Sequence, residues 1–357
     1  MKQISLSCKI YSVVVIVLSC LILAGCGSKE AHSGSKSDSV DHLISIGAHQ
    51  PGIAYHSTAS GIATVVTSHS DLKMTVKPFS GSNAWMPLLN SGEIDFGILS
   101  YPDAKWALKG INGYPEKSKN VRLLVRGNNI VISGFTVRAN SGIEKVKDLK
   151  GKRVAANYSG NQIIPRVLEA HIASAGLTWD DVQMVPVTGV GAGVNALREN
   201  RVDAAFTGTP TVSTFLEADT AIDIDGLNWG GVSPENIDEF PKDVTREMQS
   251  LVPNIKPTVF NNGFLNEKTI LAQYPIALIG SSKVSEETAY RLTKVLWGHY
   301  KKLHSQFTWL QTWTPEQMFD PNPSVPYHPG AIKFFKEQGL WTEEAEQKQG
   351  ELLKSIK

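Results

Sequence analysis

One phrase of twelve residues occurs twice in this chain, and the repeat constrains the fold more than any other feature. Residues 89–100 read LNSGEIDFGILS, and residues 197–208 read LRENRVDAAFTG. Each copy ends a helical pattern, turns, and passes an acid, Asp95 or Asp203, into a short apolar run. The repeated helix–turn–strand unit predicts two similar α/β halves, and a chance echo within an ordinary α/β chain is the alternative reading.

The carboxyl ends of the two repeated strands carry the first candidate site residues. Ser100 and Tyr101 follow the first strand, and Thr207 and Thr209 stand at the end of the second. Ligands of parallel α/β sheets bind outside the carboxyl ends of the strands. We therefore expect these four side chains to face one cleft between the halves.

Composition and element order agree with two globular domains. The chain has 357 residues, 41% hydrophobic and 19% charged, with a net charge of +1 that gives no reason to expect a nucleic-acid partner. From Leu43 the pattern alternates strand and helix, and the same order repeats from Val146. The sequence predicts an α/β protein of two Rossmann-like lobes joined by a hinge. We place lobe 1 at 42–127 and 260–357, and lobe 2 at 128–259.

The first 25 residues form a separate segment. Two lysines precede an apolar stretch from Tyr11 to Ala24, which is typical of a secretory signal. The stretch ends in Leu23-Ala24-Gly25-Cys26, which resembles the bacterial lipobox, so we expect lipidation of Cys26; ordinary signal cleavage is the alternative. Residues 26–41 are polar and suit a lipid anchor with a flexible tether. The prediction is an exported protein, anchored to the bacterial membrane on its extracytoplasmic side.

Five stretches taken in order resemble one known family. They are SIGAHQPGIAYHSTASGIA, VKPFSGSNAWMPLLNSGEIDFGILSYPDA, SGIEKVKDLKGKRVAANYSG, LRENRVDAAF and VPYHPGAIKFFKEQGLW. Together they are similar to the TAXI family of TRAP transporter receptors, which implies a type II periplasmic-binding-protein fold. The resemblance implies a non-enzymatic receptor without a cofactor, which captures a small organic acid and delivers it to TRAP membrane permease subunits.

Three loop-to-helix junctions, at 48–52, 80–83 and 157–161, are expected to face the ligand. Each would present backbone N–H groups and a helix N-terminus, which favour an anionic group such as a carboxylate. Their serines and asparagines serve equally well as helix caps, so both roles stay open. The polar residues of these junctions in our predicted site are His49, Gln50, Ser80, Ser82, Asn83, Asn157, Tyr158, Ser159 and Asn161. Tyr55, in the helix after the first junction, and Tyr274, where the chain returns to lobe 1, complete the set.

The chain departs from the resembled family at two points. His49 and Gln50 replace a loop that is often rich in Gly and Thr, and Ala84–Pro87 lacks an Arg that family members often carry. The loss of that Arg removes a bidentate carboxylate clamp, which puts a glutamate-like or dicarboxylate ligand in doubt. Arg126 and Arg166 are candidate charge partners. An aromatic wall of Trp85, Tyr101 and Tyr158 is a further candidate, with core packing the favoured role for Trp85.

Other signals are weaker. Gly189-Val190-Gly191-Ala192-Gly193 resembles a dinucleotide loop without its final Gly. His49 and His56 lack the further ligands of a zinc site. Asp95 and Asp203 open their strands at the end away from the cleft, which favours a structural role over paired-carboxylate catalysis. An ABC-type solute receptor, an exported enzyme and a sensor partner on the same scaffold are the alternative functions, and the sequence leaves the oligomeric state unknown.

Overall fold

The structure is a computed structural model that describes residues 42–356. The predicted signal segment, the tether and the lipidation site at Cys26 lie outside the described residues. None of the helices within the described range combines the length and the apolar character that crossing a bilayer requires.

Eleven strands form two separate sheets within the described residues. In chain order the strands are β1 His42–Ala48, β2 Leu72–Pro78, β3 Phe96–Ser100, β4 Val121–Ile132, β5 Gly134–Arg138, β6 Arg153–Ala156, β7 Gln183–Pro186, β8 Ala204–Thr207, β9 Ile224–Gly226, β10 Lys256–Phe260 and β11 Thr269–Ser281. The first sheet contains β1 to β4 with β10 and β11, and the second contains β5 to β9.

The two sheets share one strand order. In the first, β2, β1 and β3 are parallel, β11 pairs antiparallel with β3, and β4 runs antiparallel along the other edge of β11. In the second, β7, β6 and β8 are parallel, and β5 and then β9 follow with antiparallel pairing. The repeated phrase supplies β3 and β8, which hold the same central position in the two sheets. The repeat therefore marks equivalent units of two lobes.

Helices pack on the sheets and bury their apolar faces in one hydrophobic core. The helices are α1 Ala54–His69, α2 Ser82–Ser91, α3 Tyr101–Lys109, α4 Ile163–Ala173, α5 Val190–Arg198, α6 Ser213–Ile222, α7 Lys242–Leu251, α8 Glu286–His304, α9 Pro315–Met318, α10 Pro329–Glu337 and α11 Glu343–Lys354. Five of them, α1, α2, α4, α5 and α6, follow a strand on the side where the lobes meet, and their first turns point toward the other lobe.

Trp85 explains how closely α2 lies on the first sheet. Its indole is fully buried and covers Gly47 on β1 and Gly97 on β3. A Cβ at Gly97 would lie 2.3 Å from the indole Cη2, which is inside van der Waals contact. Trp85 therefore belongs to the core of lobe 1, the role that the sequence favoured for it.

The predicted boundary between the lobes at residue 127 falls inside a strand. β4 continues through Gly127-Asn128-Asn129 and pairs with β11 as far as Ile132. The backbone turns instead at Gly134, where φ is +86° and the chain enters the second sheet. Sheet membership thus changes after Ile132 and again before Lys256. The lobe boundaries at 127 and 260 stay a prediction.

Candidate functional site

A cavity lies where the two lobes face each other. Lobe 1 contributes the loop after β1 and the start of α1, and lobe 2 contributes the first turns of α4 and α5 and the end of β8. Ile130, Ile132 and Tyr274, from the neighbouring strands β4 and β11, form its floor. The cavity is narrow in this closed arrangement: its volume is about 30 Å³, room for about two water molecules, so a larger ligand requires the lobes to move apart.

Three helices begin at this cavity. Ile53 and Ala54 start α1, Ile163 and Ile164 start α4, and Val190 starts α5, and all of these residues line the cavity. In none of the three does the N-cap residue's own side chain accept from the first turn, although at α4 the N–H of Gln162 donates to Asn83 Oδ1 and the N–H of Ile164 to the Asn161 carbonyl. The first turns of α1 and α5 and the positive ends of the three helix dipoles create a region that favours an anion.

One buried polar atom at the cavity, Asn161 Oδ1, has no hydrogen-bond partner, and its residue is 4% exposed. The hydroxyl of Tyr55, also buried, lies beside that of Tyr274. An unpartnered buried polar group costs free energy, on the order of 1–3 kcal/mol. A ligand that donates to the amide oxygen of Asn161 would remove this cost. The atom therefore points to a polar molecule between the lobes.

His49 is a neutral member of this polar group. Burial lowers the pKa of its imidazole to about 3, so the ring carries no charge at neutral pH. Nδ2 of Asn161 lies 3.5 Å from His49 Nε2, and the ring packs edge-on against Tyr55 with centroids 4.6 Å apart. The contact joins lobe 1 to lobe 2 across the cavity. It also orients the Asn161 amide, with its nitrogen toward His49 and its oxygen free.

One buried acid, Asp103 on α3, lies behind the cavity wall in lobe 1. Its carboxylate accepts hydrogen bonds from the hydroxyls of Ser82 at 3.2 Å, Ser100 at 3.1 Å and Tyr114 at 3.1 Å. Burial raises the pKa of Asp103 to about 7, although the three hydroxyls favour the ionised form. Burial also raises the pKa of Tyr55, the neighbouring Tyr274 hydroxyl adds to that rise, and the charge of Asp103 contributes further. The protonation of Asp103 is therefore coupled to charge in the cavity, although Asp103 does not line it.

The lobes are in direct contact beside the cavity. The backbone N–H of Gln162, next to Asn161, donates to Asn83 Oδ1 at 3.0 Å. On the other side, the Thr214 hydroxyl donates to the carbonyl of Gly52 at 2.7 Å. Hydrogen bonds across the gap hold the structure in a closed arrangement, in which the cavity is surrounded by both lobes.

Comparison with known proteins identifies the family. A sequence profile described as the NMT1-like family matches residues 46–339, which is most of the chain. The chain belongs to the NMT1-like family.

Solved structures with the same fold are periplasmic binding proteins. This NMT1-like chain is similar to a periplasmic transporter, with a TM-score of 0.51 and 13% identity over 88% of this chain and 97% of that one. It also matches the alkanesulfonate-binding protein SsuA from Xanthomonas axonopodis pv. citri bound to MOPS, with a TM-score of 0.45 and 16% identity over 88% of this chain and 97% of that one. The predicted fold, α/β with two lobes of the type II periplasmic-binding-protein kind, is confirmed.

Five of the predicted site residues line the cavity of this NMT1-like protein. They come from both lobes and from the strand β11, and they remain predicted ligand contacts: His49, Tyr55, Asn161, Thr209 and Tyr274. The Thr209 hydroxyl donates to the Val131 carbonyl at 2.7 Å, so only its lone pairs are free for a ligand. The polar side chains at the cavity all carry hydroxyl, amide or neutral imidazole groups.

Ten other predicted residues lie away from the cavity, and we do not carry them forward as contacts. Ser82 and Ser100 bind Asp103, Asn83 joins the lobes, and the Tyr101 hydroxyl donates to Asp320 at 2.8 Å on another face. Four side chains are exposed on the surface: Gln50, Ser80, Asn157 and Ser159. The last two, Tyr158 and Thr207, are fully buried inside lobe 2.

The candidate charge partners also lie elsewhere. Arg126 is half-buried and donates to Asn129 at 3.3 Å in a different groove. Arg166 pairs with Glu169 at 2.8 Å and reaches Asn112. Neither guanidinium lines the cavity. Within the described residues, no group of three or more His, Cys, Asp or Glu side chains is arranged to hold a metal ion.

The apolar lining was missed from the sequence. Isoleucines at 130, 132, 163 and 164, with Phe206 and Phe215, form most of the wall. The sequence carried a partial signal for these residues, because 163 and 164 directly follow a predicted junction and Phe206 lies in the repeated phrase. An apolar residue at such a position is indistinguishable from core in a single sequence.

Proposed function

We propose that this NMT1-like protein is an extracytoplasmic receptor that captures a small organic acid between its lobes and delivers it to the membrane subunits of a TRAP-type transporter. The observation that carries the proposal is the cavity between the lobes, where three helix N-termini and the unpartnered Asn161 Oδ1 meet. Contacts between the lobes support a closing mechanism, because a ligand that binds the closed state better shifts the population toward it.

A thermal-shift screen of small carboxylates against purified protein tests the capture step. Binding to the native state raises the melting temperature in proportion to ln(1 + [L]/Kd), so a true ligand gives a concentration-dependent rise. The bound compound is expected to be recovered chemically unchanged. Turnover of the compound would favour an exported enzyme, and a flat response to every acid would count against a receptor.

Uptake in bacterial cells tests the TRAP assignment. The receptor is expected to support transport that stops when an ionophore collapses the ion gradients and continues when ATP is depleted. Transport with the opposite dependence would assign the receptor to an ABC-type system. Uptake that is unchanged by deletion of the receptor would favour a sensor partner.

Membrane attachment through Cys26 forms part of the proposal. The wild-type chain is expected to appear in the membrane fraction and to incorporate a labelled fatty acid, whereas Cys26→Ala is expected to lose both. A Cys20→Ala variant serves as the control, because residue 20 lies inside the predicted signal segment. Equal labelling of the Cys26→Ala variant would contradict an anchor at this position.

A further inference from the structure

We infer that the ligand is a small monocarboxylate with an apolar chain and one hydrogen-bond donor, such as a short 2-hydroxy acid, rather than a dicarboxylate or an amino acid. This inference rests on the proposed receptor function and narrows the ligand class of the same cavity. It departs from the glutamate-like or dicarboxylate ligand that the family resemblance implies.

The residues that line the cavity limit the ligand to one negative charge. Of the described residues that line the cavity, none is Asp, Glu, Lys or Arg. One carboxylate can be held by the N–H groups at the starts of α1 and α5, with the positive end of the α4 dipole beside it. A second carboxylate would be buried against isoleucine and phenylalanine side chains without a cationic partner, which is strongly unfavourable.

The absence of an acid in the lining argues against an amino group on the ligand. An ammonium needs a carboxylate or several acceptor oxygens when it leaves water. The buried carboxylate of Asp103 adds to the rise that burial causes in the pKa of Tyr55 but does not line the cavity. It already accepts hydrogen bonds from the hydroxyls of Ser82, Ser100 and Tyr114. His49 is held neutral by burial and offers one nitrogen that already faces Asn161.

The polar groups of the lining indicate which groups the ligand carries. The Tyr55 and Tyr274 hydroxyls face each other, which leaves one of the two O–H groups free to donate to a carboxylate oxygen. Asn161 Oδ1 is an acceptor, so it calls for a hydroxyl or N–H on the ligand. The carbon chain is matched by the wall of Ile130, Ile132, Ile163, Ile164, Phe206 and Phe215, and the narrow space between these side chains favours a short chain.

Isothermal titration calorimetry with five-carbon compounds tests this inference. The probes are 2-hydroxy-3-methylbutanoate, its neutral amide, valine, 2-hydroxyglutarate and glutamate, which differ in charge and donor groups at equal carbon number. The hydroxy acid is expected to bind at least tenfold more tightly than each of the others. Equal or tighter binding of glutamate, 2-hydroxyglutarate or valine would overturn the inference and still support a receptor. Tightest binding by the neutral amide would overturn the inference that the ligand is an anion. Binding of none would overturn the inference and remove support for the proposed function as well.

Two substitutions locate the binding in this cavity. Asn161→Asp introduces a negative charge and is expected to weaken binding of the hydroxy acid at least tenfold, whereas valine would gain affinity if an amino group were the preferred partner. Tyr55→Phe is expected to weaken binding several-fold. Tyr101→Phe is the matched control, because that buried hydroxyl contacts Asp320 on another face. Unfolding of the ligand-free variants is measured alongside, and unchanged affinity in a folded Tyr55→Phe variant would contradict the placement of the carboxylate.

Discussion

The backbone N–H and the hydroxyl of Ser45 both donate to Asp95 Oδ2, each at 2.8 Å. In the other lobe, the N–H of Arg153 donates to Asp203 Oδ2 at the same distance of 2.8 Å. Asp95, just before β3, thus binds β1, and Asp203, just before β8, binds β6, in each case fifty residues earlier in the chain. This shared bond explains why the repeated phrase keeps an acid before its apolar run: the acid fixes the register of two central strands at the end away from the ligand.

Asp95→Asn is expected to destabilise the protein without changing ligand affinity. The substitution weakens a charge-assisted acceptor that serves two donors, which costs about 2 kcal/mol in the free energy of unfolding. Urea denaturation measures this loss. Glu93→Gln is the control, because Glu93 is exposed and contacts only the Ser91 hydroxyl. A stable Asp95→Asn variant with weakened binding would reverse the structural assignment of Asp95.

Gly81→Ala is expected to weaken ligand binding by preventing the closed arrangement. A Cβ at Gly81 would lie 2.1 Å from the carbonyl oxygen of Gly160 in the other lobe, and a backbone atom cannot move aside cheaply. Separation of the lobes would relieve this contact, so the melting temperature of the ligand-free protein is expected to change little. Calorimetry with the bound acid measures the affinity. Gly350→Ala, which meets nothing within 4 Å, is expected to leave affinity intact.

His49 gives the protein a predictable acid sensitivity. Its pKa is lowered by burial from 6.5 to about 3, so between these values the unfolded state binds a proton that the folded state excludes. The contribution of neutral His49 to the free energy of unfolding is therefore fully present above pH 6.5. It decreases as the pH falls toward 3, by up to about 1.4 kcal/mol per pH unit. His49→Gln is expected to show a shallower slope in denaturation curves between pH 4 and 6.5. His69→Gln, at an exposed position, is the control, and identical slopes in all three proteins would contradict a neutral buried His49.

Asp103 acts in the opposite direction. Its pKa is raised by burial to about 7, so it contributes stability at low pH that is lost as the pH rises through 7. An anion in the neighbouring cavity raises this pKa further, and binding near pH 7 is expected to take up a fraction of a proton. Calorimetry in two buffers of different ionisation enthalpy measures the uptake. Asp103→Asn is expected to abolish it. Equal proton uptake by wild type and variant would show that another group is linked to binding.

The sequence predicted the architecture well because the repeated phrase and the alternation of strands and helices carry it. It predicted the site less well. Thr207 follows Phe206 in β8, and because neighbouring side chains in a strand face opposite sides, Phe206 lines the cavity while Thr207 bonds Thr136 inside lobe 2 at 2.6 Å. A strand buried on both faces has no polar alternation to reveal which residue faces the ligand.

The conformation of the loop that contains Asn157 and Tyr158 could not be predicted from the sequence either. Tyr158 follows Asn157, whose φ is +69°, and its ring turns into lobe 2, where the hydroxyl accepts the Phe206 N–H at 2.8 Å. Tyr274 was placed at the cavity because it lies in the segment where the resembled family often contributes a cleft residue. The pairing of Tyr274 beside Ile130 in the long β4–β11 ribbon was not predicted, since the sequence placed the boundary between the lobes at residue 127, inside β4.

Native mass spectrometry of freshly purified protein tests the central claim most directly. The account predicts one small acid bound per chain, released on unfolding, with a mass that fits a short monocarboxylate, and it predicts that this mass is absent from the folded Asn161→Asp variant. A dicarboxylate or an amino acid in the wild-type spectrum would contradict the inferred ligand. A bound acid that Asn161→Asp retains at full occupancy would contradict the cavity itself.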